Sequence, residues 1–184
     1  MKKLILLIYL SLISSAFADN FAQQLVDAAK TQIGVTLGYD PGYIRIPYPN
    51  GDVPLETGVC TDVIIRAYRK MGIDLQKEVH EDMKKNFAKY PRIWGLSKPD
   101  TNIDHRRVPN LQVFFERHGK SLPLDKDFQA GDIVTWNLSP KGGSIPHIGI
   151  VSGDNFVIHN MGYGTLEQSI LFSYEITGHY RYNK

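Results

Sequence analysis

A single cysteine, Cys60, carries the most distinctive chemistry of this 184-residue chain. It follows a glycine-bearing loop and opens a segment whose apolar spacing predicts a helix over residues 60–71. Unpaired N–H groups at a helix N-terminus stabilise negative charge, so this position is expected to lower the pKa of the thiol. A thiolate beside a base is a nucleophile for acyl transfer. The alternative role for Cys60 is that of a small packing residue on an amphipathic helix.

His147 is the best candidate for the base. It begins a predicted strand directly after the loop 142–146, which puts a titratable ring at a sheet edge with room for a substrate. His159 follows twelve residues later at the end of the next predicted strand, and a hairpin turn at 153–155 would make the two histidines neighbours. A second polar group can fix the tautomer and tilt of the first. Since side chains alternate along a strand, only one of His159 and Asn160 should face His147, and His159 is favoured.

The elements that must position these residues follow an α+β order, with helices first and a mostly antiparallel sheet after them. Residues 34–58 are rich in glycine, proline and tyrosine and predict a loop. One domain over residues 19–184 fits this order, with the N-terminal helices packed on the C-terminal sheet. The periodicity predicts helices at 21–33, 60–71, 75–90 and 109–118, and strands at 133–136, 147–152, 156–159 and 176–182.

Residues 1–18 have the three parts of a secretory signal peptide: Lys2 and Lys3, a short apolar run, and the small-x-small end Ala16-Phe17-Ala18. We therefore expect export to the periplasm or the medium, and no stable membrane span after cleavage. Removing this leader leaves 19 basic and 19 acidic side chains. The remaining chain therefore has no excess of positive charge that would indicate a nucleic-acid partner. A lone thiol in a disulfide-forming compartment cannot form an intramolecular bridge, which favours a reactive role for it.

These residues together resemble the NlpC/P60 cysteine peptidases. Members of that family have a cysteine at an Asp-Cys-Ser-Gly-type helix start, a histidine in His-Val-Gly-Ile, and a histidine, asparagine or glutamine on the following strand. The matching stretches here are 59–62, 146–150 and 157–159. Tyr48, twelve residues before the cysteine, resembles a tyrosine that the family uses near its substrate cleft. The resemblance implies a papain-like fold, the triad Cys60, His147 and His159, and weaker substrate or oxyanion roles for Tyr48 and Asn160.

The chain is identified more closely as a member of the DUF1287 family. The stretches that carry this resemblance are Tyr48-Pro49-Asn50-Gly51-Asp52-Val53-Pro54, Gly58-Val59-Cys60-Thr61-Asp62-Val63, residues 102–110, and Thr177-Gly178-His179-Tyr180-Arg181. One departure from the NlpC/P60 pattern is that Thr61 and Asp62 follow the cysteine where Ser-Gly is usual.

Residues 102–107 are dense in polar side chains. The plain interpretation is a hydrogen-bonded loop beside the cleft, since no spacing of histidines or cysteines supports a closed metal site. Arg106 and Arg107 could bind a carboxylate, and the peptides of bacterial walls carry free ones.

The sequence thus predicts an exported cysteine amidase or endopeptidase that hydrolyses amide bonds of peptidoglycan or its fragments, with no cofactor and no metal. Two alternatives stay open. The same triad would serve a protein-targeting amidase or transglutaminase-like toxin, and the same scaffold could be a non-catalytic wall-binding module.

Overall fold

The computed structural model describes residues 20–139 and 141–184, so the predicted signal peptide lies outside the described residues. Among the described residues, 20–30 form α1. Three further α-helices and two single 3₁₀ turns follow along the chain. Their bounds are α2 Cys60–Lys70, α3 Leu75–Asn86, the turns Phe87–Lys89 and Asp104–Arg106, and α4 Val108–His118.

The second half of the chain forms a six-stranded sheet in which every pair of neighbours is antiparallel. Its order is β3-β8-β4-β5-β6-β7, with bounds β3 Lys120–Ser121, β4 Ile133–Asn137, β5 Pro146–Gly153, β6 Phe156–Asn160, β7 Thr165–Ser169 and β8 Glu175–Arg181. A separate parallel pair joins β1 Gly38–Tyr39 to β2 Thr57–Gly58 inside the predicted loop. The predicted α+β order is confirmed; β1, β2, β3 and β7 were not predicted.

The helices form where the sequence has an apolar stripe together with residues that favour the start or the end of a helix. The Asp74 side chain accepts a hydrogen bond from the Lys77 backbone N–H and starts α3. Proline stands in the first turn of α4, and Gly119 follows its last residue. The second and third predicted strands, at 147–152 and 156–159, pair through the turn at 153–155 as expected.

Two apolar clusters lie on opposite faces of the sheet. The larger one fills the space between the helices and the sheet and includes Cys60, Ile64, Ile148 and Ile158. The smaller one lies on the other face around Trp136. Because side chains alternate along β5, Ile148 faces α2 whereas His147 lies beside the Trp136 ring, with ring centroids 5.7 Å apart. In the described part of the chain, no helix is both long and apolar enough to cross a membrane.

A buried carboxylate ties β4 to β8. Asp132 is fully buried and accepts hydrogen bonds from His179 Nε2 at 2.9 Å and from Arg181 Nε at 2.7 Å. The other ring nitrogen of His179 donates to the carbonyl of Pro123. Burial opposes ionisation of Asp132, but the hydrogen bonds from His179 and Arg181 outweigh this effect and lower the pKa of the carboxyl.

Replacing Asp132 by asparagine keeps the shape of the side chain and removes its charge. We expect the free energy of unfolding to fall by about 3 kcal/mol or more, because the hydrogen-bonded network of Asp132 with His179 and Arg181 loses its buried negative charge. Urea unfolding followed by circular dichroism measures this. Asp125→Asn, an exposed acidic residue nearby, should change the value by less than about 0.5 kcal/mol. Equal effects of the two substitutions would contradict the importance of this buried network.

Candidate functional site

Cys60 is the first residue of α2 and lies against strand β5. Its thiol contacts the backbone N–H groups of Ile148 and Thr61, and the Tyr39 hydroxyl interacts with the same sulfur. Ile148 is the residue that directly follows His147, so the sulfur meets β5 within one residue of the candidate base. Only 4% of the Cys60 surface is exposed, although the residue lines an open cleft.

The environment of the thiol differs from the one expected at a helix start. Burial raises the pKa of Cys60 to about 11, and the backbone N–H groups of Ile148 and Thr61 only partly oppose this. The prediction that the helix N-terminus lowers the pKa of this thiol is therefore wrong for this structure. The physical reason is desolvation, which penalises the charged form more than the backbone dipoles stabilise it.

His147 and His159 form a direct side-chain pair across β5 and β6. His147 Nε2 lies 3.0 Å from His159 Nδ1, and the rings meet edge to face. Burial lowers the pKa of His147 to about 3, with a further contribution from His159. Burial also lowers the pKa of His159, and the nearby Gln168 side chain on β7 opposes this. At neutral pH both rings are uncharged, so one ring must donate and the other accept.

Gly149 makes room for this pair. A Cβ atom there would lie 2.5 Å from Cγ1 of Val157 and 3.2 Å from the Cβ of His159. Any larger residue would push β6 away and separate the two rings. The glycine two residues after His147 is therefore a steric requirement of the histidine pair.

The Asn160 side chain binds the backbone of other segments and is not the partner of His147. It donates to the carbonyls of Gly38 and Gly58 at 3.0 and 3.1 Å, and its own oxygen accepts from Gly162 N–H. Asn160 thus joins the end of β6 to the small β1–β2 sheet that precedes Cys60. Of the two residues considered as partners of His147, the structure brings His159 to it.

Tyr48 and Tyr39 have different surroundings. The Tyr48 hydroxyl is 3.3 Å from Glu81, its ring packs edge to face on His80, and the residue does not line the cleft beside Cys60. Tyr39 does line that cleft, and burial and the Cys60 thiol raise the pKa of its phenol. The sequence did not single out Tyr39, because it lies in a two-residue strand within the predicted loop 34–58 and is part of no periodic pattern or motif.

Asp62, which stands where glycine is usual in the NlpC/P60 motif, stabilises the start of α2. Asp62 accepts from the backbone N–H of Val59 at 2.7 Å and binds Arg106 through both carboxylate oxygens at 2.9 and 3.0 Å. Arg106 also donates to the carbonyls of Gly42 and Asp40. Both side chains of this ion pair are nearly inaccessible to solvent. The pair therefore joins the Cys60 helix, the 3₁₀ turn at 104–106 and the loop after Tyr39.

A cleft of about 420 Å³ opens beside Cys60. One wall is the loop after Tyr39, and the other is the segment from Trp94 to Pro109. Hydrogen bonds among Tyr43, Asp100 and Asn102 link the two walls. Its volume is in the range of sites that hold one small ligand or a short stretch of peptide. It is lined by Tyr39, Pro41, Tyr43, Val59, Cys60, Trp94, Ile103, Arg106, Arg107, Val108, Pro109 and Pro146.

The raised pKa of Cys60 predicts a distinctive pH dependence of thiol labelling. The rate of alkylation by iodoacetamide should be low at pH 7 and rise continuously toward a midpoint near pH 11. The matched control is the same protein in urea, whose exposed thiol should titrate near its ordinary pKa of about 8.5. A rate in the folded protein that is already maximal near pH 7 would contradict this and indicate a preformed thiolate.

Arg106→Gln should leave the buried Asp62 carboxylate without a counter-charge. We expect a loss of about 3–5 kcal/mol in the free energy of unfolding. Lys30→Gln, which breaks the more exposed pair of Lys30 with Glu167, should cost less than about 1 kcal/mol. Chemical denaturation of both variants tests this, and a small loss for Arg106→Gln would show that the pair does not organise the site.

Comparisons with known proteins identify the family and the fold of the chain. Residues 26–182 match the family described as a domain of unknown function, DUF1287. The chain is 54% identical over 167 residues to the uncharacterized protein YijF of Escherichia coli (strain K12), covering 86% of this chain and 80% of that protein.

Two solved structures share the fold. NlpC1 of Trichomonas vaginalis has a TM-score of 0.52 and 18% identity over 89% of this chain and 45% of its own. NlpC2 of the same organism has a TM-score of 0.50 and 17% identity over 88% of this chain and 47% of its own. This chain therefore spans less than half the length of the solved structures it resembles. The chain belongs to the DUF1287 family, and it has the α+β, papain-like fold of NlpC/P60 proteins.

Proposed function

We propose that this protein is a cysteine-dependent amidase or endopeptidase that hydrolyses amide bonds in the peptides of peptidoglycan. The observation that carries the proposal is that the thiol at the cleft contacts the backbone of β5, directly after His147. His147 on β5 and His159 on β6 form a side-chain pair at 3.0 Å, although neither ring lines the cleft. The cleft itself can accept a short peptide. The predicted export of the chain favours peptidoglycan, the abundant amide polymer outside the inner membrane.

The first half of the reaction forms a thioester. The Cys60 thiol gives its proton to His147 Nδ1 as the sulfur attacks the amide carbonyl carbon, and a tetrahedral oxyanion forms. Backbone N–H groups in the first turn of α2, with the Tyr39 hydroxyl, are suitable donors to that oxyanion. The C–N bond then breaks, and His147 returns the proton to the leaving amine.

The second half releases the acid. His147 removes a proton from water, whose oxygen attacks the thioester, and the thiol regains its proton when the C–S bond breaks. For His147 Nδ1 to accept a proton, its Nε2–H must donate to His159 Nδ1. His159 then carries its proton on Nε2, which is buried and has no hydrogen-bond partner among the described residues. His159 acts as a positioning residue for His147.

Because the resting thiol and imidazole are both neutral, proton transfer accompanies attack and no ion pair exists beforehand. Burial raises the pKa of Cys60 and lowers that of His147, which disfavours a resting thiolate–imidazolium pair. The proposed reaction therefore requires that proton transfer accompany attack on the substrate. A neutral pair also avoids two uncompensated charges in a buried site.

Incubation of purified, reduced protein with soluble muropeptides, followed by mass spectrometry, tests the proposal. We expect wild type to release fragments with an added water at the cut amide, and Cys60→Ala to lower the rate by at least about a thousandfold. Cys60→Ala removes little volume, and circular dichroism checks its fold. If the wild type leaves every muropeptide intact, the assignment to peptidoglycan hydrolysis is wrong.

One observation favours a second candidate, a non-catalytic wall-binding module. The thiol is only 4% exposed and its pKa is raised, as for a packing cysteine. The two candidates differ in the effect of His147→Ala on labelling by a peptide electrophile that must occupy the cleft. General-base catalysis predicts a rate lowered by about tenfold or more. A packing cysteine predicts slow labelling that is the same in both proteins.

A further inference from the structure

The cleft beside Cys60 is apolar and aromatic except for two arginines. Tyr39, Tyr43 and Trp94 provide its aromatic surface, and Arg106 and Arg107 are the charged residues of its lining. No carboxylate is among the lining residues in the described part of the chain. The two arginines have different hydrogen-bond partners, and these partners determine whether each guanidinium can bind an anion in the cleft.

Arg106 is already neutralised. Asp62 binds its guanidinium through two oxygens, and the carbonyls of Gly42 and Asp40 accept from its remaining amino groups. Its side chain is 2% exposed. Arg106 therefore has a structural role and little capacity to bind an incoming anion.

Most N–H donors of the Arg107 guanidinium have no hydrogen-bond acceptor among the described residues. The guanidinium stacks on Trp94, with Cζ 4.1 Å from the ring centroid, and one amino group donates to Asp104 at 3.1 Å. Within the residues that the structure describes, this is the only hydrogen bond of the Arg107 side chain. A guanidinium has five N–H donors, so most of the fork remains available to a ligand in the cleft.

Asp104 is an imperfect counter-ion for Arg107. It is 1% exposed, and its second oxygen accepts from the backbone N–H of Asp100. Burial raises the pKa of the Asp104 carboxyl above its usual range. The Trp94 ring meanwhile fixes the plane of the guanidinium, so little side-chain freedom remains to be lost when an anion binds.

We propose that Arg107 binds a free carboxylate of the substrate, on a residue beside the amide that Cys60 attacks. The proposal rests on the proposed amide hydrolysis and narrows its substrates to acidic peptides. Planar, two-point binding of a carboxylate suits arginine, and the surrounding aromatic surface strengthens the interaction by excluding water. Because Arg107 and Cys60 line the same cleft of about 420 Å³, the bound carboxylate would lie near the scissile bond.

The test compares one muropeptide preparation in two forms, with its carboxylates free or converted to primary amides. We expect wild type to cleave the free acid about tenfold faster or more, the loss of one charge-assisted contact. Arg107→Gln should bring the ratio of the two rates close to one, and Arg107→Lys should keep part of the preference. Arg92→Gln is the matched control, because Arg92 is an exposed arginine just before the Trp94–Pro109 wall and does not line the cleft.

The ratio separates binding from folding, because a merely structural role of Arg107 would lower both rates together. An unchanged ratio in Arg107→Gln, or no preference in wild type, overturns the carboxylate proposal while leaving hydrolysis intact. If wild type cleaves neither form, the proposed function fails, and calorimetric binding of the two preparations to Cys60→Ala still tests the site. Equal binding of the acid and amide forms would then overturn the proposal.

Discussion

Burial of Cys60 and of His147 is the constraint on which the proposed catalytic site depends. Cys60 packs into the main core at the start of α2, and His147 is buried on β5 beside Trp136. Burial raises the pKa of the thiol to about 11 and lowers that of His147 to about 3, so both groups are neutral at physiological pH. A neutral pair can act only if the imidazole is correctly oriented when the thiol gives up its proton. Orientation, and not a stored charge, is therefore what the surrounding structure must supply.

In the proposed reaction, the surrounding contacts would provide that orientation. The hydrogen bond between His147 and His159 fixes one ring against the other, and Gly149 leaves the space for both. The buried pair of Asp62 and Arg106 joins the first turn of α2 to the loops on either side of the cleft. Breaking a buried ion pair is costly, so the pair holds these three segments in one arrangement. The aromatic cleft then excludes water from the place where a substrate would lie.

Much of this architecture could be predicted from the sequence because it is encoded locally. Apolar spacing of 3.6 residues marks α2 to α4, and the turn at 153–155 sets the pairing that brings His159 to His147. Contacts between residues far apart in sequence carried no such signal. Arg106 reaches Asp62 across 44 positions, and Tyr39 reaches Cys60 from a two-residue strand without any periodicity. The pKa of Cys60 was mispredicted for the same reason, since a helix start is visible in a sequence and the depth of burial is not.

The central claim is that Cys60 is activated by a histidine pair that works as one unit. The most direct measurement is kcat/KM on wall peptides for wild type, His147→Ala, His159→Ala and the double variant. Each single substitution should lower kcat/KM by about a hundredfold or more, and the double variant should be no worse than His147→Ala, because His159 acts only through His147. Losses that multiply in the double variant, or full activity in His147→Ala, would contradict the account.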